Sequence, residues 1–262
     1  MNQVSVEPRG VPRGSLRELY RATLKSDDIW FNVYVCRPPA ALLVQVLRDT
    51  RVAPNQVTFF SLLLALGAAG CLVGLRWPLG LWVGVAVCEL SYVFDKVDGM
   101  LARCRGVQSA TGHLLDFLMD EIKAFVLLAT AALGGWFASG RVEFLYWGLV
   151  GVVALASGIG MTTFSRRPEV LAELRGTAEL GSKAELGSKA ELEGGAAERA
   201  RGVGVAERVG RFFIHYPSYI WIAAVLSDVR YFLYPYVVVN VLYAGRSMLG
   251  LMLRFGTSVP RA

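Results

Sequence analysis

Long apolar runs alternate with short polar or basic segments along most of this chain. A helix needs about 20 apolar residues to cross the hydrocarbon core of a bilayer, and most of the runs approach that length. The pattern therefore predicts an all-α, polytopic membrane protein. Its six predicted transmembrane helices cover Val57–Leu75, Leu79–Phe94, His113–Ala138, Phe144–Thr163, Phe212–Val225 and Tyr231–Leu253.

The first 53 residues follow a different pattern. Residues 1–28 form a polar, basic segment, which predicts little structure before a short helix near Ser15–Ser26. Between residues 29 and 53, aromatic and aliphatic residues are bracketed by arginines, and the apolar run Ala40–Leu47 is too short to span a membrane. This mixture favours an N-terminal helix lying in the membrane interface, with the first turns of a buried helix as the alternative.

Lysine and arginine are concentrated in residues 1–55, in the connection between the second and third predicted spans, and in residues 165–211. Each of the other three connections carries a single arginine. Because cytoplasmic loops of membrane proteins carry the basic excess, both termini and the second connection are expected to face the cytoplasm. The sequence thus predicts an integral protein of the cytoplasmic (inner) membrane.

The membrane domain is predicted to cover residues 29–255, with a short tail over 256–262. It is interrupted by a low-complexity cytoplasmic loop, residues 166–208, in which residues 178–193 repeat the hexapeptide Ala-Glu-Leu-Gly-Ser-Lys. A six-residue period matches no solenoid, and the Gly-Ser pairs interrupt a helix. The loop is therefore predicted to be a solvated linker, and the sequence assigns its repeat no role.

Composition narrows the class of protein. The chain is 54% hydrophobic and only 18% charged, whereas soluble domains are about 25% charged. The net charge of +6 is the charge expected of basic loops facing anionic lipid, so nucleic acid is not an expected partner. The cysteines show no ligand spacing, and neither a disulfide framework nor a zinc site is expected. They are Cys36, Cys71, Cys88 and Cys104.

Four aspartates stand where the second predicted span ends and the third begins. They are Asp95, Asp98, Asp116 and Asp120. A carboxylate at the centre of a membrane helix costs about 2.5–3.5 kcal/mol, so this group needs a compensating cation or a water-filled cavity. Asp95 and Asp98 share a helix face at i and i+3, and the other two share one at i and i+4.

If the two helices pack side by side, the four carboxylates converge, and neighbouring small residues leave room for a ligand. Hard oxygen ligands of this kind suit Mg²⁺ or Mn²⁺, which commonly hold substrate phosphates. A carboxylate that is not saturated by metal could take a proton from an attacking hydroxyl group. The small residues in question are Gly99, Ala102 and Gly112.

Read in full, the pattern from Asp95 to Asp120 is D-x2-D-G-x2-A-R-x8-G-x3-D-x3-D. It resembles the signature of the CDP-alcohol phosphotransferase (CDP-alcohol phosphatidyltransferase) family, and every fixed position is matched. Upstream, the stretch Pro54–Thr58 resembles the PNxxT element of the same family. Motifs and span pattern together cover roughly residues 30–255, and the repeat-bearing loop is the clear departure from the family.

The resemblance implies a phospholipid-synthesising transferase. Such an enzyme moves a phosphatidyl group from a CDP-lipid, usually CDP-diacylglycerol, to a small alcohol and releases CMP. It further implies a homodimer and a divalent ion held by Asp95, Asp98 and Asp116, with Asp120 as the general base and a further metal contact. The residues implied to border the CDP-lipid are Asn55, Thr58, Gly99, Ala102, Arg103 and Gly112.

The motif does not indicate which alcohol is the acceptor. An acceptor with its own phosphate would need cations near Asp120, and Lys123, Arg166 and Arg167 are candidates. They favour inositol phosphate or glycerol 3-phosphate as the acceptor. Two other classes stay open, namely a cation transporter or channel and a catalytically inactive membrane scaffold. The position of the carboxylates at the ends of spans, rather than at the membrane midplane, argues against an ion path.

Overall fold

The computed structural model describes residues 15–24, 29–170, 212–213 and 215–255, and those residues are helical or lie in short connections. The predicted repeat at 178–193 and the tail at 256–262 lie outside the described residues. The α-helices are α1 Leu16–Thr23, α2 Arg37–Leu47, α3 Pro54–Gly74, α4 Leu79–Arg105, α5 Ala110–Ser139, α6 Glu143–Ser165, α7 Ile220–Val225 and α8 Arg230–Phe255. A π-helical turn, Asn32–Cys36, leads into α2, and a 3-10 turn, Tyr216–Ser218, precedes α7.

Four helices in the described part of the chain are long and apolar enough to cross a bilayer: α3, α5, α6 and residues Arg230–Leu253 of α8. The predicted second span falls on α4, whose apolar run ends at Asp95. The predicted fifth span contains the six-residue α7. The all-helical, multi-span architecture is confirmed, whereas the count of six spans and the interfacial position of α2 stay predictions.

Two apolar cores hold the helices together. The larger core joins α3, α4, α5, α6, α7 and α8 through small and aliphatic side chains, with Leu72, Leu128 and Leu233 at most 1% exposed. The smaller core packs α1 and α2 on the C-terminal half of α4, around Val44 and Met100. The same half of α4 therefore supports the N-terminal helices on one side and carries the aspartates on another.

A tight connection brings the ends of α4 and α5 together. Helix α4 ends at Gly106, whose φ of 67° is readily adopted by glycine, and the amide of Val107 bonds to the Ala102 carbonyl at 3.0 Å. Helix α5 begins after Ser109, whose hydroxyl oxygen accepts from the amide of Gly112 at 3.0 Å. The two halves of the motif thus lie on consecutive helices joined by a four-residue connection, and α3 packs against both of these helices.

Two arginines of α4 fasten the N-terminal helices to this end of the bundle. The guanidinium of Arg105 donates to four carbonyls, one from the last residue of α2 and three from the α2–α3 connection, at 2.5–3.2 Å. Arg103 Nε donates to the carbonyl of Thr23 at the end of α1 (3.1 Å), and Arg37 Nη1 donates to the same oxygen (2.8 Å). The carbonyls that Arg105 reaches belong to Leu47, Arg48, Thr50 and Val52.

Candidate metal and catalytic site

Three of the four motif aspartates converge. Asp95 on α4 and Asp116 and Asp120 on α5 each place a carboxylate oxygen within 4.8 Å of the other two. Helical spacing places Asp116 and Asp120 one turn apart on one face of α5. Their meeting with Asp95 depends on the packing of α4 and α5 against α3. The predicted meeting of carboxylates from the two helices is therefore present for this triad.

Asp95 is the deepest member of the triad, and its side chain is 2% exposed. One of its oxygens accepts from Lys96 Nζ at 2.9 Å, and the other accepts from Lys123 Nζ. The Lys96 ammonium also lies 4.1 Å from the centre of the Tyr92 ring, where a cation–π interaction adds to the ion pair. Two ammonium groups thus stabilise a carboxylate that would be very costly to bury alone.

Asp98 is held by a different set of partners. Its Oδ2 accepts from the hydroxyl of Thr58 on α3 at 2.5 Å, and its Oδ1 accepts from the amide of Gly99. Among the described residues, the carboxylates that approach one another within 4.8 Å are those of Asp95, Asp116 and Asp120, and Asp98 is not part of that group. The structure thus joins the upstream motif, through Thr58, to the aspartate motif by a buried hydrogen bond.

The α5 carboxylates are more accessible than those on α4. The Asp120 side chain is 46% exposed, and it accepts from Lys123 Nζ at 3.1 Å. Asp116 is intermediate in exposure and lies one turn earlier on the same face. Asp120 is therefore more accessible than Asp95 within the triad.

The remaining predicted substrate-binding residues lie on α3, α4 and the first turn of α5. Asn55 lies beside Gly112, because a Cβ built on Gly112 would be 3.7 Å from the Asn55 side-chain oxygen. A Cβ on Gly99 would be 3.3 Å from Arg103 Nη1, so the absence of a side chain gives the guanidinium its room. Ala102 is half-buried on the same stretch of α4.

The three candidate acceptor-binding cations differ in burial. Lys123 is 2% exposed, and its ammonium is bound to the aspartates of the triad. Arg166 is exposed, and its guanidinium lies 5.5 Å from the ring centre of Phe117 at the start of α5. Arg167 is exposed at the end of α6. Lys123 is thus an internal counter-charge of the cluster, while the two arginines lie at the surface.

A polar network near the site escaped the sequence-based prediction. The hydroxyl of Tyr92 bonds to His215 Nε2, and His215 Nδ1 bonds to the Ser218 hydroxyl at 2.6 Å. Because Tyr92 also lies under Lys96, this network connects the segment before α7 to the Asp95 ion pair. Tyr92 and Lys96 lie four residues apart, a spacing that signals contact on a helix, whereas the distant partner His215 gives no local signal.

The donor set fits a hard divalent ion. Three carboxylates within 4.8 Å supply the oxygen ligands that Mg²⁺ and Mn²⁺ prefer, and the two lysines offset part of their negative charge. Asp95, Asp116 and Asp120 would hold such an ion.

A family sequence model for CDP-alcohol phosphatidyltransferases matches residues 51–184, about half of the chain. The chain belongs to this family. The match contains every motif aspartate as well as the Asn55–Thr58 element, so the matched range includes the aspartate site. With its four apolar helices, family membership identifies an integral membrane protein.

One curated relative is named a bifunctional IPC transferase and DIPP synthase and comes from Rubrobacter xylanophilus. It is 35% identical over 88 residues, which amount to 34% of this chain. The chain matches only 19% of that relative's length. The relative therefore supports a likeness over the shared segment.

Proposed function

We propose that this protein transfers a phosphatidyl or related phospholipid group from a CDP-lipid, such as CDP-diacylglycerol, to an alcohol acceptor with release of CMP. The observation that carries the proposal is the convergence of Asp95, Asp116 and Asp120 within a motif that the family model matches. The reaction is a step of phospholipid biosynthesis.

Asp120 is the proposed general base. It is the accessible carboxylate of the cluster, and the acceptor hydroxyl loses its proton to one of its oxygens. The acceptor oxygen forms a bond to the β-phosphorus of the CDP-lipid as the bond from that phosphorus to the bridging oxygen breaks. The phosphodiester lipid and CMP are the products.

The other site residues bind and orient the donor. A bound Mg²⁺ or Mn²⁺ would neutralise the diphosphate and stabilise the negative charge that develops on the leaving CMP. Asp98, fixed by Thr58, is proposed as a further ligand of this ion. Asn55, Gly99, Ala102, Arg103 and Gly112 are proposed to border the nucleotide and its phosphates.

The finer features of the proposal rest on the sequence. The acceptor is proposed to be a phosphorylated polyol, inositol phosphate or glycerol 3-phosphate, whose phosphate would lie near Arg166 and Arg167. Lys123 would act on such an acceptor only through its ion pair with Asp120, because its ammonium is buried in the cluster. A homodimer of six-span subunits, with the site facing the cytoplasm, completes the proposal.

An acceptor screen tests the proposed reaction. Purified protein is incubated with radiolabelled CDP-diacylglycerol and Mg²⁺, with each acceptor alcohol of the family in turn, and both CMP and the lipid product are measured. We expect one acceptor to give CMP and a new phosphodiester lipid in equal amounts, EDTA to stop both, and excess Mg²⁺ to restore them. CMP release that persists in EDTA, or none with any acceptor, would contradict the proposal.

A further inference from the structure

A groove between α1 and α2 lies outside the aspartate site. It encloses about 630 Å³. Arginines of α1 contribute one part of its lining, and apolar residues of α2 contribute another. The residues that matter for its chemistry are Arg17, Arg21, Pro38, Pro39 and Leu42.

The two arginines point away from the bundle. Leu19 and Thr23 form the inner face of α1 and are at most 1% exposed, whereas Arg17 and Arg21 are exposed. A separation of two residues turns a helix by about 200°, so the arginines occupy the opposite face, one turn apart from each other. The acidic side chain of α1, Glu18, accepts from the Ser15 amide at 2.9 Å and belongs to the helix cap.

The apolar side of the groove is continuous with an exposed apolar surface of α2. Leu42 is 55% exposed, and Val46, one turn later, is 72% exposed. Tyr34 and Val35, just before α2, are also exposed. In a membrane protein such a surface is stabilised by contact with acyl chains, and arginines beside it are placed for the headgroup phosphates.

We propose that this groove binds one anionic phospholipid of the surrounding bilayer, separate from the CDP-lipid substrate. Its phosphate lies between Arg17 and Arg21, and one acyl chain runs over Pro38, Pro39 and Leu42. The positive charge of the lining favours an anionic lipid over a zwitterionic one. Arg17 and Arg21 can both contact the phosphate, and the carboxylate of α1 is engaged in the helix cap and does not neutralise them.

A lipid in this groove would also contact the helix that reaches the motif. Helix α1 is tied to the segment before α2 by the Tyr20 hydroxyl, which donates to the Val33 carbonyl at 2.6 Å. Its Thr23 carbonyl accepts from Arg103 on the far side from Arg17 and Arg21. The lipid therefore clamps α1 against α2 from outside without entering the donor site, and the proposal does not depend on the enzymatic reaction.

Native mass spectrometry of the full-length protein in a neutral detergent tests the binding. The protein is titrated with dioctanoyl-phosphatidylglycerol and, separately, with dioctanoyl-phosphatidylcholine. The double variant Arg17→Gln/Arg21→Gln is expected to bind phosphatidylglycerol about 30-fold more weakly, since each arginine near an anionic headgroup contributes roughly fivefold. Phosphatidylcholine binding is expected to stay unchanged.

Two further variants make the result specific. Arg51→Gln/Arg246→Gln removes the same charge from exposed positions that do not line the groove, and it should bind phosphatidylglycerol as the wild type does. Leu42→Trp fills the groove at constant charge and should weaken phosphatidylglycerol binding at least fivefold. Melting temperatures of all variants verify that the chain remains folded.

Three outcomes would overturn the proposal. Equal loss of binding in both arginine double variants would indicate attraction to net charge alone. Equal affinity of the wild type for the two lipids would remove the anionic selectivity. Loss of phosphatidylglycerol binding in Thr58→Val, which alters only the donor site, would show that the lipid occupies the substrate's own position. A failed acceptor screen, by contrast, would leave this binding unaffected.

Discussion

The aspartates of α4 and those of α5 share one motif but have very different surroundings. Asp95 and Asp98 are each 4% exposed, and each is held by at least two hydrogen bonds from lysine, threonine or backbone donors. The Asp120 side chain on α5 is 46% exposed and has the buried Lys123 as a neighbour. The same residue type is thus fixed on one helix and accessible on the other.

This contrast suggests different roles for the aspartates of α4 and those of α5. Carboxylates held by several hydrogen bonds keep their geometry while substrates bind and dissociate, so α4 is expected to provide the rigid side of the site. An accessible carboxylate can meet a hydroxyl group from solution, which is the reason for proposing Asp120 on α5 as the general base. Substitutions on α4 should therefore affect stability as well as activity, and substitutions of Asp120 should affect activity alone.

The largest effect is expected for Asp95→Asn. The change leaves the buried ammonium of Lys123 and the partly buried ammonium of Lys96 without their shared carboxylate, and breaking a buried ion pair costs about 3–5 kcal/mol. We expect the melting temperature in detergent to fall by roughly 6–12 °C and turnover to be lost. The control Asp49→Asn alters an exposed carboxylate near Arg48 and should shift melting far less. Wild-type melting of Asp95→Asn would refute the structural role of this carboxylate.

Asp120→Asn is expected to separate activity from stability. Turnover of CDP-lipid should fall by about 10²–10⁴-fold, because the amide cannot take the acceptor proton. Melting should stay near that of the wild type, since Asp95 still pairs with Lys123. Binding of Mn²⁺ and CDP-lipid, measured by calorimetry, should persist, with a weaker affinity for Mn²⁺ because one of the three proposed carboxylate ligands in the triad is lost. Unchanged turnover would remove Asp120 as the base, while Asp49→Asn should retain full turnover as the matched charge control.

Thr58→Val tests whether the upstream element acts by fixing Asp98. Valine has nearly the same shape but cannot donate, and a buried hydrogen bond to a charged group contributes about 1.5–3 kcal/mol. We expect the KM for CDP-lipid to rise at least tenfold, with a smaller change in kcat. Thr58→Ser keeps the donor and should restore most of the affinity. Equal KM values for the valine and serine variants would argue that shape, not the hydrogen bond, matters.

Much of this site was predictable from the sequence, because its spacing is a local property of helices. The aspartates of α5 share a face by their i, i+4 spacing, and hydrophobic runs locate α3, α5, α6 and α8 to within a few residues. Charges in and beside the motif were harder to assign. From the sequence, Lys96 is interpreted as part of a basic connection, whereas in the structure its ammonium forms a salt bridge with Asp95.

Contacts between distant segments account for the rest. The Thr58–Asp98 bond joins residues 40 positions apart, and the Tyr92–His215 bond joins residues 123 apart. From the sequence, Arg105 is interpreted as a basic residue that marks a cytoplasmic loop. In the structure its guanidinium donates hydrogen bonds to backbone carbonyls at the end of α2 and just after it. Such pairings cannot be predicted from the spacing of residues in a single sequence, because they depend on how the helices pack and not on the period of any one helix.

The smallest predicted effect comes from Gly99→Ala on α4, which should raise stability slightly while weakening the binding of the donor. Alanine favours an α-helix over glycine by about 1 kcal/mol, so the melting temperature should rise slightly. Its Cβ would lie 3.3 Å from Arg103 Nη1 and would displace the guanidinium, so the KM for CDP-lipid should rise a few-fold. Gly67→Ala on α3, where a Cβ meets nothing within 4 Å, should change melting alone. If Gly99→Ala left KM unchanged, the position of Arg103 would have no bearing on the donor, and the rigid side of the site would be confined to the aspartates and their partners.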